Sequence, residues 1–103
     1  MKKIVLSAFI CSLGFIAQAE SGIDMELAAK YACTACHTLD EPLIGPAYNL
    51  VYEKYKDDPN VEEYLFEKIK NGGSGVWGDM PMTPNPQVPD EDLHKLVAEI
   101  LGR

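Results

Sequence analysis

Cys33-Thr34-Ala35-Cys36-His37 sets two thiols three positions apart with an imidazole directly behind them. A redox dithiol, a structural zinc site and a covalent haem attachment all use this set of residues. The rest of the chain decides among them.

Upstream, Met1-Lys2-Lys3 is followed by an apolar run from Ile4 to Ala17 and then Gln18-Ala19. A basic start, a short apolar stretch and a small-x-small ending form the pattern of a secretory signal cleaved after Ala19. The run is too short for the roughly 20 residues that a spanning helix needs. The bulky Ile10 before Cys11 argues against lipoprotein processing. The expected organisation is therefore a signal peptide, residues 1–19, and one domain, residues 20–103. The domain keeps only two cysteines, Cys33 and Cys36, and has seven Lys and Arg against sixteen Asp and Glu, a net charge of −9. Such a balance disfavours nucleic acid and anionic lipid as partners, and no stable membrane insertion is expected.

A domain of this size buries a limited core and commonly leans on a disulfide, a metal or another staple. A Cys33–Cys36 bridge would close a tiny loop and restrain little of the unfolded chain. Something else has to complete the interior.

Apolar spacing predicts four short helices and an all-α fold. The first covers Asp24 to Ala32 and runs straight into the Cys33 motif. The second covers Ala47 to Lys56, with Pro46 suited to its start. The third follows Asn60 as cap and carries Val61, Leu65, Phe66 and Ile69 on one face. The last follows Asp90 as cap, with Leu93, Leu96, Val97, Ile100 and Leu101 as its buried face. Residues 38–46 read as a loop. So do residues 71–89, which hold four glycines and four prolines.

A thioredoxin-like dithiol needs β-α units around it, and no segment here has a convincing strand pattern. Zinc needs four ligands, usually in two pairs; beyond the motif there is only the isolated His94 and scattered carboxylates. Attachment of a c-type haem remains. The thiols would bond its vinyl groups and His37 would reach its iron. For a second axial ligand the candidates are Met25, Met80, Met82 and His94. Met25 reads as core, and His94 lies on the polar side of its helix, facing solvent. Met80 and Met82, in Gly75-Val76-Trp77-Gly78-Asp79-Met80-Pro81-Met82-Thr83-Pro84-Asn85, sit on a loop able to wrap the opposite face of the ring.

The motif, with Ile44-Gly45-Pro46-Ala47-Tyr48, Ile69-Lys70-Asn71-Gly72 and the Gly75–Asn85 stretch, resembles the short bacterial class I cytochromes c of the cytochrome c-551/c-552 type, over essentially all of residues 20–103. The resemblance implies four short helices wrapped around one covalently bound haem c. It implies thioether bonds from Cys33 and Cys36, axial ligands His37 and Met82, and a Pro46 carbonyl that accepts the imidazole N–H. It further implies Trp77 as donor to a haem propionate and Asn85 near the axial sulfur, where it tunes the potential. Thr83 stands where such proteins often have proline, and Glu99 where they often have an aromatic, so the last helix must pack through Leu96, Val97, Ile100 and Leu101.

The implied activity is that of a periplasmic, monomeric one-electron carrier rather than an enzyme. A quinol-oxidising complex would be its donor, and a terminal oxidase, a nitrite reductase or a peroxidase its acceptor. Lys30 would be the basic residue nearest the docking patch, with Lys54, Lys56, Lys68 and Lys70 spread over other helix surfaces. The competing enzyme or gas-sensor reading would require a distal His or Arg, and beyond the motif only His94 and Arg103 exist.

Overall fold

The computed structural model describes residues 20–103; the segment read as a signal peptide, with Cys11, lies outside them. Helix α1 is Met25–Lys30, α2 Tyr48–Tyr55, α3 Val61–Asn71 and α4 Asp90–Ile100, and a single 3₁₀ turn covers Cys33–Ala35. No helix among these residues is long and apolar enough to cross a membrane.

The core lies where α4 packs on α3 and α2. Leu93, Leu96, Val97, Ile100 and Leu101 of α4 are buried against Val61, Leu65 and Phe66 of α3 and Tyr48 and Val51 of α2. Each such side chain contributes roughly 1.5–3 kcal/mol on leaving water. Leu93 has no exposed surface at all, so Leu93→Ala is expected to cost about 3 kcal/mol in urea unfolding, from lost transfer energy and the cavity left behind. Glu99, in place of an aromatic, turns outward enough for its Oε2 to accept the Asp24 N–H at 3.0 Å. Ser21 Oγ donates to the Ile100 carbonyl at 2.9 Å, so the start of the domain is pinned to the end of α4.

Local chemistry explains where the helices begin and end. The Asp24 carboxylate accepts from the N–H groups of Glu26 and Leu27 and starts α1. This helix stops at Lys30 rather than at Ala32, because Ala32 turns to a left-handed φ of 62° and swings the chain into the Cys33 turn. Two expected caps differ. Asn60 occupies the cap position of α3 with no side-chain bond to it, and Pro89 rather than Asp90 precedes α4. Asp90 instead lies in the first turn with Glu91 and Asp92, where carboxylates favour the positive helix end.

The 71–89 segment is not wholly irregular. Gly73–Gly75 (β1) pairs antiparallel with Gly78–Met82 (β2), with Gly73 opposite Met82 and Gly75 opposite Gly78 around a Val76-Trp77 turn. Gly73, Gly75 and Gly78 all have φ between 113° and 125°, a region closed to most other residues. This hairpin carries Trp77 at its tip and Met82 at its base.

Candidate functional site

His37 is braced from several sides. Its Nδ1 donates to the Pro46 carbonyl at 2.7 Å, and its ring stacks on Tyr48 with centroids 5.2 Å apart. The 38–46 loop brings these groups in by folding back on the motif: Gly45 N–H donates to the Cys36 carbonyl at 2.7 Å, and Tyr48 N–H to the Thr38 carbonyl at 2.9 Å. Gly45 passes so near that a Cβ there would fall 2.8 Å from His37 Nδ1 and closer still to Cε1. Gly45→Ala is therefore expected to push the imidazole off the Pro46 carbonyl and cost about 2 kcal/mol or more. Thermal unfolding and the Nδ1–H proton resonance of His37 would both register it.

With Nδ1–H committed, Nε2 and its lone pair are left as the free coordinating atom of His37, and the carbonyl behind the ring fixes its tautomer and orientation. Cys33 and Cys36 are unpaired and half-buried in the turn ahead of it. Burial pushes the Cys33 thiol above its usual range, and pushes the nearby Tyr48 phenol well above its own.

These groups share one cavity of about 880 Å³, at the upper end of the range for small-molecule sites. Cys33, Cys36, His37 and Pro46 line it from the N-terminal half; Trp77, Met80, Met82 and Asn85 line it from the hairpin segment. Its remaining surface is chiefly aliphatic, including Leu50, Leu65, Ile69 and Leu96. Leu43, Ile44, Leu50, Val76, Trp77 and Met80 are exposed and border this cavity; Tyr64 is the one other large hydrophobic side chain exposed among the described residues. An apolar ligand would take the cavity-facing sides of these six from water.

Met82 is half-buried, whereas Met80 is 67 % exposed. The Met82 segment is held by backbone. Gly72, at φ 71°, ends α3 so tightly that a Cβ there would collide with the Met82 carbonyl and lie 2.9 Å from Pro84 N. Asn85 N–H donates to the Ile69 carbonyl at 3.1 Å, and its side-chain amide donates to the carbonyls of Ile69 and Thr83 at 3.2 and 3.0 Å. Both amide hydrogens of Asn85 are thus used in pinning this loop to the end of α3.

Lys68 belongs to the cavity wall and not to the outer helix surface expected of it; among the described residues it is the sole Lys or Arg in the lining. Lys54 places Nζ 5.7 Å from the Trp77 ring centroid. Met25 packs against the core, and His94 is exposed with its ring stacked 4.2 Å from Phe66, so neither enters the cavity. No three His, Cys, Asp or Glu side chains among the described residues converge as a metal cage. A haem suits what is present: two thiols in one turn, an oriented Nε2, thioethers on the other segment, an aliphatic lining, and one cation for its carboxylates.

Comparison with known proteins points the same way. The family model described as cytochrome c matches residues 25–101. Cytochrome c-551 of Allochromatium vinosum is 44% identical over 77% of this chain and 84% of its own length. Cytochrome c-552 of Nitrosomonas europaea is 41% identical over 98% of this chain and 97% of its own. The crystal structure of wild-type Nitrosomonas europaea cytochrome c552 superposes with a TM-score of 0.73 at 45% identity, covering 76% of this chain and 96% of that one.

Proposed function

Because the chain belongs to the cytochrome c family, whose small helical fold and covalently attached haem c it shares, we propose that it is a periplasmic one-electron carrier with His37 and Met82 as axial ligands. Haem c supplies reversible Fe(II)/Fe(III) chemistry. The observation that carries the reading is the gathering of six exposed hydrophobic side chains around a single cavity that also takes in Cys33, Cys36, His37 and Met82.

The residues divide the work. Cys33 and Cys36 tether the group through thioethers. Pro46 fixes the tautomer and plane of the His37 imidazole. Met82 offers a soft, neutral thioether, which favours the reduced metal. Trp77 and Lys68 provide donors for carboxylates, and Asn85 holds the Met82 strand in place. With both ligands held by backbone contacts, the site changes little between oxidation states, which keeps electron exchange fast.

The same features argue against chemistry on a substrate. His94 is stacked on Phe66 and Arg103 is paired with Glu62 at 2.7 Å, so neither serves as a distal acid or base. Export by residues 1–19 would deliver the chain to the periplasm. There a quinol-oxidising complex would reduce it, and a terminal oxidase, nitrite reductase or peroxidase would reoxidise it.

The deciding experiment is the visible spectrum of the oxidised protein, of the reduced protein, and of the latter under carbon monoxide. A weak long-wavelength sulfur-to-iron band in the ferric form, with no response to carbon monoxide, means both axial positions are filled. Loss of that band with ready carbon monoxide binding would replace the carrier reading with a sensor or enzyme.

A further inference from the structure

We infer that the cavity mouth docks its redox partners through a basic face on the partner, the acidic charge lying on this chain. The inference rests on the carrier reading above. Two segments that supply most of the cavity lining, residues 31–53 and 71–94, contain not one Lys or Arg, and Lys68 of α3 is the one cation that joins them there among the described residues. Their exposed apolar side chains at the mouth, Leu43, Ile44 and Met80, stand close in sequence to Glu41 and Asp79. Both residues are exposed, and neither side chain makes a hydrogen bond or ion pair among the described residues.

The cations of the domain are largely answered where they stand. Lys56 pairs with Glu53 at 3.0 Å, Lys70 with Asp90 at 2.9 Å and Arg103 with Glu62 at 2.7 Å. Lys30 lies over the Tyr31 ring and Lys54 over those of Tyr55 and Trp77. Lys68 sits at the hairpin base, with Nζ 2.9 Å from where a Gly73 Cβ would be. Apart from Lys68, which the carrier reading gives to the haem carboxylates, and Lys54 beside Trp77, the free charges at the mouth are carboxylates, on a domain of net charge −9. Like charges facing one another across such a contact are repelled, while a basic partner is steered in and its apolar centre meets Leu43 and Ile44. The contact belongs to the small, transient class below about 1,200 Å².

The test uses the reduced holoprotein in stopped flow with two one-electron oxidants of opposite charge: the tris(1,10-phenanthroline)cobalt(III) cation and the hexacyanoferrate(III) anion. In each case one electron leaves the protein, no proton moves, and Co(III) becomes Co(II) or the cyanide complex goes from Fe(III) to Fe(II). Raising ionic strength from about 10 to 200 mM is expected to slow the cobalt reaction roughly fivefold and speed the hexacyanoferrate reaction comparably. Two double variants then remove equal charge: Glu41→Gln with Asp79→Asn at the mouth, and Asp57→Asn with Glu63→Gln remote from it. Glu63 lies some ~12 Å along α3 from the end that joins the hairpin.

The mouth pair should change both rates about threefold at low salt, in opposite directions, and the remote pair less than half as much. Equal effects from the two pairs would reduce the inference to net charge alone and overturn it, as would a hexacyanoferrate reaction that slows with salt. Failure of the protein to cycle between two spectra at all would instead overturn the carrier reading on which this one depends.

Discussion

Exchanging both Cys33 and Cys36 for serine is expected to give a chain from which acidified acetone extracts all the haem, and whose melting temperature falls by about 15 °C. The domain's own core is small. Six of its larger hydrophobic side chains stand exposed around the cavity. Each leaves roughly 1.5 kcal/mol or more unrealised until it is covered. A tethered group covers their cavity-facing sides permanently; an untethered one does so only in proportion to its concentration and affinity. Either single serine variant should keep one thioether, retain its colour in acetone and melt between the two extremes. Retention of colour by the double variant would mean that the thiols are not the attachment points.

The second large effect separates the two methionines. Met82→Ala should abolish the sulfur-to-iron band, open the reduced protein to carbon monoxide and lower the reduction potential by about 0.1 V or more, because the soft ligand that favours reduced iron is gone. Met80→Ala should leave the band in place. Both side chains line the cavity, but the Met82 segment is anchored by Gly72 and Asn85, and Met80 projects from an exposed stretch of β2. The opposite pattern would transfer the iron to Met80. Band intensity, carbon monoxide difference spectra and potentiometric titration read the three effects separately.

The helices were legible because their information is carried by side chains repeating at 3.6-residue spacing. The stripe Leu93, Leu96, Val97, Ile100 is buried as its period required. What was not legible is carried by backbone. The hairpin is built from Gly73, Gly75 and Gly78, which have no side chains to alternate, so the usual strand signal is absent and only the positive φ angles reveal it. Asn60 does stand at the start of α3, but its side chain caps nothing, and the bond found there is its own N–H donating to the Asp58 carboxylate two residues earlier. The position of Lys68 does have a signal in the sequence. It falls three residues after Leu65 and one before Ile69, and so lies beside their stripe; charge alone suggested solvent, although a long stem can follow an apolar wall.

The hairpin described above also divides the molecule by local stability. Helices α3 and α4 hold each other through buried side chains, so their amides should exchange with solvent deuterium only when the whole domain opens. β1 and β2 are fully or largely exposed and are joined to the remainder chiefly by Gly72 and the Asn85 bonds to the end of α3. Few buried contacts and exposed backbone bonds mark a segment that opens alone, at a free energy well below the global value. Hydrogen-exchange mass spectrometry should find residues 73–82 labelling ahead of every helix. The His37 side, closed by the 38–48 fold, would stay shut during such events, so that any small ligand competing for the iron would enter from the Met82 side, at a rate governed by how often one hairpin lifts.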